Sequence, residues 1–149
     1  MEEKKLITLS DILSMQEVKK LGDGGFGEVW EGFIHGERLA IKRQEFGVDE
    51  DMPEIMWQEV EVLNIEHPNL LHMRGSVADF VNGNMYIVTD LLPFDLSTAI
   101  TQGVIESECE SVFLGVARAL KKLHDENWIH RGKRFILLKY IEKYILSQP

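Results

Sequence analysis

The 149-residue sequence has few of the features that mark membrane, secreted or nucleic-acid-binding proteins. Its single cysteine, Cys109, excludes an internal disulfide. No apolar run approaches the roughly 20 residues of a membrane-spanning helix, and the charged start Met-Glu-Glu-Lys-Lys lacks the apolar core of a signal peptide. There are 16 basic and 25 acidic residues, and the net charge of −9 argues against nucleic acid or an anionic membrane as a partner. A cytoplasmic or nuclear protein, not a secreted one, is expected.

The length fits one domain, and the order of predicted elements indicates an α+β fold with a mainly antiparallel sheet. Residues 1–15 are a lead-in with room for one short helix, and residues 16–34 are predicted to form two strands joined by a glycine-rich turn. Further strands are predicted at 36–43, 70–78 and 84–91, and helices at 53–65, 95–101 (capped by Asp95) and 107–125. In the last helix the predicted apolar stripe is formed by Val112, Phe113, Val116, Leu120 and Leu123.

The glycine-rich turn has a spacing typical of phosphate-binding loops. Residues 21–29 read Leu-Gly-Asp-Gly-Gly-Phe-Gly-Glu-Val, so that Gly22, Gly24 and Gly27 follow the pattern Gly-x-Gly-x-x-Gly. Without Cβ atoms, glycines allow backbone N–H groups to approach phosphate oxygens. A Rossmann dinucleotide site has the same spacing between a strand and a helix, whereas here a strand continues through Val29. An ordinary glycine-rich hairpin is the alternative.

The predicted strand after this hairpin contains Leu-Ala-Ile-Lys at residues 39–42. Because strand side chains alternate, Ala40 and Lys42 share one face while Leu39 and Ile41 share the other. A small residue beside a lysine suits a flat base lying on the alanine, with its phosphates near the ammonium group. A solvent-facing lysine at a strand end is the alternative.

A carboxylate on the predicted helix 53–65 is the candidate partner for Lys42. Helical spacing places Glu59 on one face with the apolar residues Ile55, Met56, Val62 and Leu63. Burying an unpaired carboxylate is costly, so Glu59 needs a partner, and Lys42 is the obvious candidate. Glu61 is expected to point outward. Alternatively, Glu59 lies at the edge of the apolar stripe and reaches water.

The chain also contains His67-Pro68-Asn69 and Ile129-His130-Arg131. Together with the motifs above, these residues make the segment 16–131 resemble a eukaryotic protein kinase, with some features of the tyrosine-kinase-like group. The resemblance implies an N-lobe at about 16–91, with a five-stranded antiparallel sheet and one helix, followed by the start of the C-lobe at 92–131. It also implies that the domain binds ATP. Intact relatives transfer the γ-phosphoryl group of ATP to Ser/Thr or Tyr of proteins, with magnesium.

The resemblance assigns a role to each residue that matches the family's motifs. Lys42 would hold the α/β-phosphates while pairing with Glu59, and these two are the expected catalytic residues. Val29 and Ala40 would sandwich the adenine, Thr89 would guard the back of the pocket, and the hinge residues Asp90 and Leu92 would contact the base. His130 resembles the structural histidine of the catalytic loop. The segment from Gly22 to Val29 would cover the ATP phosphates. The expected cofactor-binding residues of this hairpin are Leu21, Gly22, Asp23, Gly24, Gly25, Phe26, Gly27 and Val29.

The family pattern breaks after Arg131. Gly132 stands in the slot of the catalytic aspartate, Leu137 stands in the slot of the asparagine five residues later, and no Asp-Phe-Gly follows. The family's metal ligands are therefore missing, and the chain as given is expected to be inactive. Its expected partners are ATP and a protein substrate or partner kinase. The rival function is a non-catalytic, pseudokinase-like module that binds a full kinase or its partner.

Residues 132–149 form a tail that does not resemble the family. They are mostly Phe, Ile, Leu, Lys and Tyr, which AT-rich codons can encode. Gly132-Lys133 can be encoded by GGT-AAG, which matches the start of a typical intron, and an aspartate codon also begins with G. The favoured hypothesis is a read-through intron or a mispredicted gene end. In the alternative, a genuine helix packs its stripe of Phe135, Leu138, Ile141 and Ile145 on the helix at 107–125.

Overall fold

The computed structural model of the protein describes residues 6–24, 27–48, 50–93, 96–103 and 109–128. The chain forms two compact units, one within Met1–Val60 and Met73–Leu91 and the other within Glu61–His72 and Leu92–Pro149. The predicted cap Asp95 and the predicted helix start at residue 107 lie outside the described residues. So do His130, Gly132, Leu137 and the stripe predicted in the tail.

The first unit is built on the predicted antiparallel sheet of five strands. Its strands are β1 (Gln16–Gly24), β2 (Gly27–Ile34), β3 (Glu37–Glu45), β4 (Met73–Asp79) and β5 (Asn84–Asp90). All neighbours pair antiparallel in the order β1-β2-β3-β5-β4. The fold class is therefore confirmed, and β3 runs two residues beyond its predicted end because it pairs with β5 as far as Glu45.

One face of the sheet carries a hydrophobic core that the lead-in covers. Helix α1 (Leu9–Leu13) begins at Thr8, whose hydroxyl accepts a hydrogen bond from the Asp11 N–H while the Asp11 carboxylate accepts from the Thr8 N–H. The helix buries Ile12 against Leu39 and Ile41 of β3. Leu39 and Ile41 thus share one face, as predicted from strand alternation, and Lys42 points to the other.

Helix α2 (Glu54–Leu63) follows Pro53, as predicted, and ends two residues before the predicted boundary. Met56 and Leu63 are buried, and Glu61 is exposed as expected. The prediction that Ile55 shares the buried face is wrong, since its side chain is 52% exposed. In the first turn of the helix only Met56 points to the protein interior, which leaves the adjacent Ile55 in solvent.

Strand β4 begins at Met73, three residues later than predicted. The Leu70 N–H donates to the His67 carbonyl in a turn, and the Asn69 N–H donates to His67 Nδ1. Leu70 is therefore held in a turn, and it belongs to the core of the second unit instead of to the sheet. The hairpin between β4 and β5 turns at Gly83, where φ is +64°.

The second unit contains α3 (Leu96–Thr101) and α4 (Cys109–Asp125). Its core cluster joins Leu70 to Ala119 and Leu123 of α4. The predicted stripe of α4 is wrong at Phe113, which is 73% exposed. The buried face instead passes through small residues at Gly115 and Ala119, which allow close packing. Among the described helices, none is long and apolar enough to cross a membrane.

Candidate nucleotide-binding site

The glycine-rich segment is the hairpin between β1 and β2. Cross-strand pairing continues to Gly24 and Gly27, and the intervening Gly25 and Phe26 lie outside the described residues. Gly27 has φ of +100°, and a Cβ atom there would overlap the backbone oxygen of Arg43. Only glycine fits at this position, because a side chain would meet both an unfavourable backbone conformation and the adjacent strand. At Gly22 a Cβ atom would meet nothing within 4 Å, so the hairpin has open space there.

Lys42 and Glu59 form an ion pair between β3 and α2. Lys42 Nζ lies 2.6 Å from Glu59 Oε1 and 2.8 Å from Oε2. The side chains are only 8% and 12% exposed, so the pair is shielded from water. The contact predicted from strand alternation and helical spacing is therefore present. Neither alternative holds: Lys42 is not a solvent-facing strand-end lysine, and Glu59 does not extend into water.

Gln44 contributes a second donor to Glu59 that the sequence reasoning missed. It lies two residues after Lys42 on β3, hence on the same face, and its Nε2 donates to Glu59 Oε2 over 3.2 Å. The Gln44 side chain is buried, and its Oε1 has no hydrogen-bond partner among the described residues. The strand alternation that places Lys42 on this face of β3 also places Gln44 there, two residues later, so the placement of Gln44 could have been predicted in the same way.

Val29, Ala40 and Thr89 share the sheet face of Lys42. Val29 is directly opposite Lys42 in the β2–β3 register, and Ala40 is directly opposite Thr89 in the β3–β5 register. Residues directly opposite each other project from the same face, so these four side chains form one surface. Thr89 is buried, and its hydroxyl donates to the Asp90 carbonyl over 3.3 Å.

The residues assigned to the hinge are Asp90, the last residue of β5, and Leu92, two residues beyond it. Asp90 is half-buried, and its carboxylate accepts a hydrogen bond of 3.2 Å from Arg74 Nη1. Arg74 sits at an irregularity in the β4–β5 register and also pairs with Glu37. A bulge of this kind redirects a side chain, which explains how Arg74 reaches two carboxylates. Leu92 is half-buried and belongs to the second unit.

Charged residues lie near the tip of the glycine hairpin. Leu21 and Asp23 are exposed, and Lys20 Nζ lies 2.7 Å both from Asp23 Oδ2 and from Glu28 Oε1. Hydrogen bonds first to Asp23 and then to Glu28 raise the pKa of Lys20. The hydrogen bond from Lys20 lowers the pKa of Glu28. This bridge cannot be predicted from the sequence, because it depends on which residues face each other across the hairpin.

A family model described as "Protein kinase domain" matches residues 15–132, well over half of the chain. The chain belongs to the protein kinase family. The five-stranded sheet with α2 is the N-lobe of this kinase, and α3 and α4 are the first helices of its C-lobe. In this family, an ion pair between a β3 lysine and a helix glutamate is part of the phosphate-binding machinery, and Lys42 and Glu59 match those positions.

Curated relatives support the same assignment. The probable L-type lectin-domain containing receptor kinase V.3 of Arabidopsis thaliana is 30% identical over 118 residues, covering 74% of this chain and 17% of the relative. The L-type lectin-domain containing receptor kinase V.7 of the same plant is 29% identical over 125 residues, covering 76% and 18%. The probable serine/threonine-protein kinase kinX of Dictyostelium discoideum is 28% identical over 123 residues, covering 76% and 11%. The kinase chain thus spans less than a fifth of each relative's length.

Proposed function

We propose that this kinase domain binds ATP through its N-lobe. The observation that carries the proposal is the shielded Lys42–Glu59 pair on the same sheet face as Ala40 and Thr89, beside a glycine hairpin. These residues suit ATP chemically, since an ammonium group suits phosphate oxygens and a small side chain leaves room for a flat base. The open space at Gly22 allows a phosphate to approach the backbone.

The proposed roles follow the family's motifs residue by residue. The hairpin segment from Gly22 to Val29 covers the phosphates, and Lys42 holds the α/β-phosphates while Glu59 fixes the position of its ammonium group. Val29 and Ala40 enclose the adenine. Thr89 borders the back of the pocket, and the backbone at Asp90 and Leu92 hydrogen-bonds the base.

Catalysis by the chain as given is not part of the proposal. Gly132 has no group to accept the proton of a substrate hydroxyl, and Leu137 cannot bind magnesium. Among the described residues, no cluster of three or more His, Cys, Asp or Glu side chains is arranged to hold a metal ion. The same two substitutions favour a second candidate function, a non-catalytic interaction module that binds a kinase or its partner.

Intact relatives transfer the γ-phosphoryl group of ATP to Ser/Thr or Tyr of proteins, and we propose the same reaction for a form of this kinase in which the catalytic aspartate is restored. The tyrosine-kinase-like flavour stays a prediction. So do the domain boundaries at 16–131 and the non-family tail at 132–149. A cytoplasmic or nuclear location also stays a prediction, since two of the relatives named above are receptor kinases.

Thermal unfolding with and without ATP tests the binding proposal. Millimolar ATP is expected to raise the Tm of the full chain, because a ligand that binds only the folded state stabilises it. Lys42→Ala should reduce that rise. Lys121→Ala removes an exposed lysine of α4, 75% exposed, and should leave the rise unchanged. A Tm that does not respond to ATP, in a chain that melts cooperatively, contradicts nucleotide binding and favours the interaction module.

Sequencing the transcript tests whether an aspartate is encoded at the position that Gly132 now occupies. Native messenger RNA is amplified and sequenced across the codon for Gly132. Messages that encode an aspartate there, followed by the asparagine and Asp-Phe-Gly, support the intron hypothesis and an active intact kinase. If the messages encode Gly132 and Leu137, that hypothesis is rejected, and ATP binding or partner binding is the function to pursue.

A further inference from the structure

The tip of the glycine hairpin places two carboxylates directly opposite each other. Asp23 of β1 and Glu28 of β2 are cross-strand partners, one step from the last paired residues Gly24 and Gly27. Like charges at directly opposed positions are destabilising. Both residues belong to the hairpin proposed to cover the phosphates. By strand alternation their side chains project from the face opposite to that of Val29 and Lys42, so they would repel a nucleotide through their electric field and not by contact. The hairpin therefore needs a cation at this point for two separate reasons.

Lys20 supplies that cation from within the hairpin. Its Nζ lies 2.7 Å from Asp23 Oδ2 and 2.7 Å from Glu28 Oε1, so one ammonium group bridges both carboxylates. The ammonium also lies 5.4 Å from the ring centroid of Trp30, its cross-strand partner, and the aromatic ring helps to fix its position. The Lys20 side chain is 34% exposed, so solvent screens the bridge only in part.

Arg43 is a second cation and pairs with Glu28. Arg43 Nη2 lies 2.8 Å from Glu28 Oε2 and 3.4 Å from Glu45 Oε1. Considering Lys20, Asp23, Glu28 and Arg43 alone, the two positive and two negative charges cancel. Removing the charge of Lys20 leaves this group of four with a net charge of −1, within the hairpin proposed to cover the phosphates.

We propose that Lys20 is a positioning residue for nucleotide binding, which neutralises Asp23 and Glu28 so that the glycine hairpin accepts the phosphates of a nucleoside di- or triphosphate. This inference rests on the proposed ATP-binding function. Lys20 acts through the two carboxylates and does not replace Lys42 as the phosphate-binding cation. The effect of Lys20 is therefore electrostatic, and it grows with the number of phosphates on the ligand.

The test compares dissociation constants for adenosine, ADP and ATP, measured by calorimetry at low salt on the full 149-residue chain. Lys20→Met keeps an apolar side chain of similar length and removes the charge. ATP affinity is expected to fall roughly 3- to 10-fold, ADP affinity by less, and adenosine affinity not at all. The loss for ATP should shrink as salt is added, because salt screens exposed charges. Lys19→Met, an exposed lysine next in sequence, makes the same change in net charge and should leave all three constants unchanged.

A rescue variant separates charge balance from a structural role. Lys20→Met combined with Glu28→Gln restores neutrality among the remaining charges, so ATP affinity should return towards that of the unaltered chain. Glu28→Gln alone should strengthen ATP binding without changing adenosine binding, and this expectation applies even where Lys20→Met does not fold. Melting curves establish which variants are folded.

Two results would contradict the proposed role of Lys20 without contradicting ATP binding by the chain. One is an equal loss of adenosine and ATP affinity in Lys20→Met, which indicates a structural brace. The other is failure of Glu28→Gln to strengthen ATP binding or to rescue Lys20→Met. If the folded, unaltered chain binds no ATP, the proposed function and this inference fail together.

Discussion

The ammonium group of Lys42 contacts both carboxylate oxygens of Glu59, at 2.6 and 2.8 Å, although the two residues are 17 positions apart in the chain. Because both side chains are almost buried, removing one partner leaves an uncompensated charge in a poorly solvated place. The pair therefore contributes to the stability of the N-lobe as well as to its proposed phosphate site.

Replacing only one residue of this ion pair should lower the free energy of unfolding more than replacing both residues. Lys42→Met or Glu59→Gln alone is expected to lower the free energy of unfolding by about 3 kcal/mol. The double variant should cost less than the sum of the two, because neither charge is then left alone. Urea unfolding of the four proteins measures the coupling. Additive losses would contradict an energetic link between the two residues.

The close approach of the glycine hairpin to β3 predicts a strong effect at Gly27. Gly27→Ala should lower the free energy of unfolding by roughly 1–3 kcal/mol, because the new Cβ atom meets the Arg43 carbonyl and φ is positive. Gly22→Ala, whose Cβ atom has open space, is the matched control and should change stability much less. Similar melting temperatures for the two variants would contradict the close approach at Gly27.

Gln44 is predicted to tolerate an apolar replacement but not a carboxylate. Gln44→Met removes the hydrogen bond to Glu59 but also the unsatisfied Oε1, so the stability change should stay within about 1 kcal/mol. Gln44→Glu places a second buried carboxylate beside Glu59 and should cost about 2 kcal/mol or more. Denaturant titrations compare the two variants. A larger loss for Gln44→Met than for Gln44→Glu would show that the hydrogen bond outweighs the repulsion.

The cap of α1 predicts an acid-dependent contribution from Asp11. Hydrogen bonds from the Thr8 hydroxyl and N–H, and then from His35, lower the pKa of Asp11 from 3.8 to about 2. A depressed pKa stabilises the folded state fully above pH 3.8, and this contribution is lost as the pH falls towards about 2. Asp11→Asn should therefore unfold more easily at neutral pH, with the difference from the unaltered chain shrinking through that window. Glu17→Gln, which removes an exposed carboxylate of β1, controls for net charge.

Truncation to alanine should lower stability strongly at one residue of α4 and hardly at all at another. Leu123 is 1% exposed in the core of the second unit, and Leu123→Ala should cost about 2–5 kcal/mol. Phe113 is 73% exposed, and Phe113→Ala should change stability by no more than about 0.5 kcal/mol. Chemical unfolding followed by circular dichroism measures both. A large loss at Phe113 would indicate that this ring is covered in solution.

The elements that the sequence predicted best are those with a strong local period. The strand positions of Leu39 and Ile41 and the outward position of Glu61 followed from side-chain alternation and helical spacing. The same rules failed at Ile55 and Phe113, because a period defines a broad apolar stripe but not which part of it meets a neighbour. They also failed at Leu70, where a local turn and packing in the second unit replaced a strand.

The kinase family and the positions of the candidate site residues can be predicted from the sequence, because glycine spacing, Leu-Ala-Ile-Lys and the helix glutamate are local features at defined intervals. Three contacts cannot be predicted in this way: the sharing of Glu59 between Lys42 and Gln44, the reach of Arg74 to Asp90, and the bridge of Lys20 between Asp23 and Glu28. Each of these contacts depends on strand register or on helix placement, where a shift of one residue would send the side chain to the other face.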